Sequence, residues 1–143
     1  MKATIKFVFV VAFLSFATIS FSQETYEWTL YKDLEGVQIY YRYADCYTNA
    51  KHMEYVLFMV INTTEESMEV EWKREIWYNG KCHNCDSDSP EYIQKAVLKP
   101  GESKEADCDS KKRGGKIFSK FLDFRGEKEL TRFELTNISV RPL

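Results

Sequence analysis

The sequence predicts an all-β domain, an antiparallel sandwich of about seven to eight strands, on three observations. Beyond residue 22 the chain is rich in Tyr, Phe, Trp, Val, Ile and Thr, which suit a pleated, half-buried surface. All six glycines and all three prolines fall between apolar stretches or at their ends, as turn punctuation does. Apolar and polar residues alternate over several short runs, with no helical run between them to build a βαβ unit.

Residues 1–22 read as a signal peptide in front of that domain. Lys2 and Lys6 supply the positive start, and Phe7 to Ile19 is apolar apart from Ser15 and Thr18. Ser20 and Ser22 put small residues at the −3 and −1 positions of a cut before Gln23. The apolar core is shorter than the roughly 20 residues a membrane span needs. No cysteine stands at the cut to carry a lipid. Residues 23–143 then form a single domain, with no membrane span expected after cleavage and a secreted or periplasmic location. Cleavage removes two of the 20 basic residues, leaving 18 against 22 acids, a net charge of −4. Such a balance gives no electrostatic case for nucleic acid. The basic cluster Lys111-Lys112-Arg113, beside Gly114-Gly115, reads as a solvated loop.

The strands follow in order. Tyr26 to Tyr31 is the first. Gly36 opens the second, in which Val37, Ile39, Tyr41 and Tyr43 share a face. Tyr55 to Ile61 is apolar on both faces, as in a central strand covered on both sides. Asn62 to Ser67 reads as a polar turn. From Glu69 to Tyr78, Val70, Trp72, Ile76 and Tyr78 point one way, interrupted by Arg74, and Glu69, Glu71, Lys73, Glu75 and Trp77 point the other. Asn79 to Pro90 is a long polar loop of the kind that carries function. Tyr92 to Leu98 and Ser103 to Cys108 are joined by the turn Lys99-Pro100-Gly101-Glu102. Lys116 to Phe124 alternates as a strand, although Ile117, Phe121 and Phe124 also fit a short helix. Leu130 to Val140 closes the domain, with a bulge expected near Thr136-Asn137 where the apolar phase shifts.

Cys46, Cys82, Cys85 and Cys108 follow the leader, and an even number in an exported domain implies two disulfides. Spacing leaves three connectivities open; the favoured one joins Cys82 to Cys85 and Cys46 to Cys108. If the turns at 62–67 and 99–102 close hairpins, all four thiols gather at one end of the sandwich. Cys82-His83-Asn84-Cys85 has the C-x-x-C spacing of thiol–disulfide oxidoreductases. No helix follows it, however, and Asp86 and Asp88 would raise a thiol pKa. Zinc on the cysteines or His83 competes with oxidation in the export compartment. Asp86, Asp88, Asp107 and Asp109 lack the ligand order of a calcium loop. No metal and no cofactor are expected.

No serine or cysteine stands in a nucleophile-elbow context, and no glycine loop suits phosphate. Asn62-Thr63-Thr64 and Asn137-Ile138-Ser139 match the N-glycosylation pattern. Trp77 and Tyr40 lie out of phase with their apolar neighbours; such aromatics are either exposed binding anchors or, more ordinarily, covered by a loop or by the second face of a central strand.

The stretch Val56 to Ile61 with Asn62-Thr63-Thr64, then Glu69 to Tyr78, then Val97-Leu98-Lys99-Pro100-Gly101-Glu102-Ser103 resembles immunoglobulin- or fibronectin-type bacterial extracytoplasmic domains. In those, a strand ending in Asn-Thr turns into an alternating strand and a later hairpin carries Leu-x-Pro-Gly-Glu. With the C-x-x-C loop and Asp107-Cys108, the chain is similar to small uncharacterised secreted proteins of Gram-negative bacteria. The resemblance implies an immunoglobulin-like sandwich and carries over no catalytic residue. The expected function is therefore that of an exported, non-enzymatic binding module for a protein or glycan outside the cytosol. Its candidate surface is Trp77, Tyr78, His83, Asp86 and Asp88. A thiol–disulfide enzyme or a metal-binding protein using Cys82 and Cys85 is the alternative.

Overall fold

The computed structural model describes residues 26–109 and 115–143. The expected signal peptide, residues 1–22, and the Lys111-Lys112-Arg113 cluster lie outside the described residues. Among the described residues, nine strands form two antiparallel sheets. Sheet A places β1 (Thr29–Leu34), β2 (Val37–Thr48) and β3 (Lys51–Asn62) side by side. The far side of β3 is shared by β7 (Ser103–Glu105) and β8 (Lys116–Phe121). Sheet B is centred on β4 (Met68–Tyr78), with β9 (Leu130–Pro142) on one side. On its other side lie β6 (Ile93–Leu98) and the two-residue β5 (Lys81–Cys82).

Turn chemistry explains the hairpins. Glu35 and Gly36 both take positive φ, 50° and 80°, between β1 and β2. Only glycine fits at 36, because a Cβ there would meet Thr64 Cγ2 at 2.4 Å. Asn79 and Gly80 repeat the pattern at φ 49° and 79°, an Asn-Gly turn that sends β5 back along β4.

Alternating side chains then close the two sheets on one core. Val37, Ile39, Val56, Phe58, Val60 and Ile117 of sheet A meet Met68, Val70, Trp72, Ile76, Leu98 and Leu135 of sheet B. β3 is covered on both faces as its sequence predicts: Leu57, 1% exposed, lies on the side away from this core. Cys46 is on that same side, opposite Met53, and carries the 106–109 segment over it through its bridge to Cys108. Residues 116–121 are strand, not helix. The expected bulge occurs on β9, where Asn137 has φ 51° and the register against β4 slips between Glu71 and Lys73.

Two expected hairpins are not hairpins. The Asn62–Ser67 connection passes from sheet A to sheet B, since β3 pairs with β2, β7 and β8 and not with β4. The Lys99–Glu102 turn also changes sheet, because β6 pairs with β4 and β7 pairs with β3. The two crossings are pegged together by Asn62, which is fully buried. Its Nδ2 donates to the carbonyls of Glu66 at 2.7 Å, Lys99 at 3.0 Å and Leu98 at 3.3 Å. Its Oδ1 accepts from the backbone N–H of Thr64 at 3.0 Å and from Thr64 Oγ1 at 2.8 Å. The hairpins behind the expected gathering of four thiols are absent, yet both bridges lie toward the end where β3 begins and β4 finishes, on different sheets: Cys46 opposite Met53 in sheet A, Cys82 opposite Trp77 in sheet B.

One side of the sandwich is shut. Tyr31 on β1 stacks on Phe133 of β9 with ring centres 6.1 Å apart, and Tyr41 meets the same ring edge-on at 5.3 Å. The backbone N–H of Leu135 donates to Tyr31 Oη at 2.9 Å, so this edge of sheet B is capped by a side chain of sheet A.

Candidate functional site

The opposite side, between β6 and β7, is open. A groove of about 440 Å³ runs there between the sheets. Phe58, Val60 and Trp72 line it from the core strands, and Ala96 and Ala106 line it from the edges. It exists because small residues stand where the closed side has tyrosine and phenylalanine. Lys104 Nζ bridges the groove to the carbonyl of Val97 at 2.6 Å. The buried Arg74 also crosses between sheets, donating to the carbonyls of Lys116 at 3.1 Å and Glu91 at 2.8 Å. Burial pulls the Arg74 guanidinium below its ordinary pKa, against nearby Tyr78, Tyr92 and Glu91. The charges at the rim are already paired: Lys95 with Glu69 at 3.3 Å, Lys104 with Glu102 at 3.8 Å, and Glu105 with Arg42 at 3.3 Å. Trp72, 2% exposed, has an indole N–H with no hydrogen-bond partner among the described residues. The groove thus offers aromatic and aliphatic surface beside a comparable share of polar surface from Gln94, Lys95, Lys104 and Glu105, whose charges are paired.

The residues expected to form the binding surface are only partly brought together. Trp77 and Tyr78 point to opposite faces of β4. Trp77 lies on the outer face under the Arg132 guanidinium, 4.5 Å from its ring centre. Tyr78 turns inward, donates from Oη to the carbonyl of Phe118 at 2.9 Å, and meets the exposed His83 ring edge-on at 5.7 Å. Asp86 and Asp88 are exposed, and Asp88 borders a smaller hollow of about 130 Å³ with Ile93 and Asn137. Among the described residues no group of three or more His, Cys, Asp or Glu side chains is placed to hold a metal ion. Nor is any described helix long and apolar enough to cross a membrane.

Tyr78 makes the alkaline limb of stability testable. Burial pushes its phenol up to about 12, against the pull of Arg74. The folded state therefore favours the neutral phenol. Its contribution is complete below the ordinary value of 10.0 and is lost as pH rises through about 12. After discounting for solvent screening, urea unfolding should lose about 1–2 kcal/mol over that window. Tyr78→Phe should flatten this limb.

The 79–90 segment is more ordered than its composition implies. Cys82 and Cys85 are bridged with Cα atoms 5.8 Å apart. The residue that sequence reasoning passed over is Asn84, 3% exposed, between them. Its Oδ1 accepts from the backbone N–H of Ile76 at 2.9 Å and its Nδ2 donates to the carbonyl of Arg74 at 2.7 Å. The N–H of His83 donates to the carbonyl of Ile76 at 2.7 Å. The loop thereby completes the edge of β4 in the gap between β5 and β6. The Asn79-Gly80 hairpin signal marked the turn, but nothing local marked Asn84 as its continuation.

The two glycosylation motifs also part company. Asn62 is enclosed by its own hydrogen bonds, whereas Asn137 and Ser139 are exposed. Made in a eukaryotic secretory host, the protein should acquire a glycan at Asn137 and none at Asn62. Intact-mass measurement should show that addition and its loss in Asn137→Gln. Comparison with protein-family models, curated proteins and solved structures finds no match for this chain.

Proposed function

We propose that this chain is an exported, non-enzymatic binding module on an immunoglobulin-like sandwich, and that its ligand seats in the groove between β6 and β7. The observation that supports this is the asymmetry of the two sides. Tyr31, Tyr41 and Phe133 fill one side, while the other keeps about 440 Å³ open over Phe58, Val60 and Trp72. A concave cleft that joins aromatic and aliphatic surface to fixed polar groups is a usual form of a ligand site. Since the rim charges are paired and Phe58, Val60 and Trp72 line the groove from the core strands, the favoured ligand is an apolar group presented by a protein or glycan outside the cytosol. The two disulfides fit an oxidising compartment. For the alternative, a thiol–disulfide enzyme, support is weaker. The one helix among the described residues is the three-residue 3₁₀ turn Pro90–Tyr92, so none opens on the cysteines to lower a thiol pKa.

The test is an NMR screen of the labelled protein against hydrophobic peptides and oligosaccharides. Ligand-induced shifts should centre on Gln94, Ala96, Lys104 and Ala106. Shifts centred on Trp77, Asp86 and Asp88 would move the site to the 79–90 loop, and no binding at millimolar ligand would remove the groove reading.

A further inference from the structure

We infer that the Cys82–Cys85 disulfide is a redox-operated latch on the edge of sheet B, independent of the groove. Strand β4 presents three outward backbone groups between β5 and β6: the carbonyl of Arg74 and both the N–H and the carbonyl of Ile76. All three are satisfied from within the four-residue disulfide ring. Asn84 takes Ile76 N–H at 2.9 Å and gives to Arg74 O at 2.7 Å, and His83 N–H gives to Ile76 O at 2.7 Å. Just beyond His83 and Asn84, Lys73 Nζ donates to the carbonyl of Cys85 at 3.3 Å.

The bridge is what makes this docking favourable. Ordering a short exposed loop costs conformational entropy comparable to what a few hydrogen bonds return. The covalent ring removes most of that freedom beforehand. Once it is opened, Asn84 leaves and β4 shows a bare edge, a surface that can pair with another strand.

Access separates the two disulfides. Cys82, Cys85 and Cys108 are half-buried and Cys46 is 1% exposed, so both partners of the first bridge but only one of the second lie open to attack. An external dithiol reaches the first pair. Its thiolate attacks one sulfur of Cys82–Cys85 to form a mixed disulfide, and its second thiol resolves that intermediate. Two electrons and two protons pass to Cys82 and Cys85, the dithiol becomes its own disulfide, and Cys46–Cys108 keeps the fold.

The experiment is graded reduction of the whole protein with dithiothreitol, read by peptide mass spectrometry and by amide hydrogen exchange. Cys82–Cys85 should open first, with Cys46–Cys108 intact. In that half-reduced form the Ile76 amide should exchange at least tenfold faster, and Val56 and Val70 should be unchanged. Asn84→Ala, kept oxidised, should reproduce the Ile76 change without any reduction. If both bridges open together, or if Ile76 stays equally protected after Cys82–Cys85 is reduced, the latch is overturned.

Discussion

Asn62→Ala is expected to lower the unfolding free energy by about 3 kcal/mol, measured by urea denaturation at neutral pH. The side chain is fully buried and donates to three carbonyls while accepting twice from Thr64. Alanine removes every one of these bonds and leaves the carbonyls of Leu98 and Lys99 without that donor. A net loss of about 1 kcal/mol per good hydrogen bond, plus the desolvation of stranded acceptors, gives the magnitude. Asn62→Asp should be no better near neutral pH, because a carboxylate has no N–H to give and sets negative charge against carbonyl oxygens. A loss below about 1 kcal/mol for Asn62→Ala would mean that the two crossings hold without the peg.

Removing the long bridge, with Cys46→Ala and Cys108→Ala together, is expected to cost about 4 kcal/mol in the chain-entropy model. The bridge spans 62 residues and joins β2 to the segment after β7. Its loss frees the unfolded chain and also leaves a gap at a site that is 1% exposed in the native state. The same double replacement at Cys82 and Cys85, separated by only three residues, should cost about 2 kcal/mol by the same relation. Denaturant midpoints of the two double variants check both the size and the order. Equal losses would refute the assignment of the Cys46–Cys108 bridge as the main covalent support.

Several elements could be read from residue pattern alone because the pattern has one physical cause. Period-two alternation in β4 reports a strand with one face in the core, and even Arg74, which breaks the pattern, stays on that face and is buried. The double-sided apolar run of β3 reports cover on both sides. The phase shift in β9 reports its bulge. Misplacement arose where two structures share one local pattern. Asn62–Ser67 and Lys99–Glu102 have turn chemistry, and turn chemistry specifies a reversal of direction without specifying the neighbour. Whether the next strand pairs in the same sheet or crosses to the facing one depends on distant residues. Trp77 and Tyr78, adjacent in sequence, fall on opposite faces of β4 as the alternation predicts.

The sequence by itself determined the all-β class, the strand character of most segments, the bulge and the reversals, since each is set by backbone preference and side-chain period over a few residues. The favoured cysteine pairing also coincides with the structure. Tertiary structure alone decided which strands share a sheet, which side of the sandwich is filled and which is left open. It also decided that Asn84 completes β4 and that Asn62 joins the crossings. Those outcomes depend on side chains meeting across long stretches of chain, Tyr31 with Phe133 and Asn62 with Leu98, and no local window contains both partners.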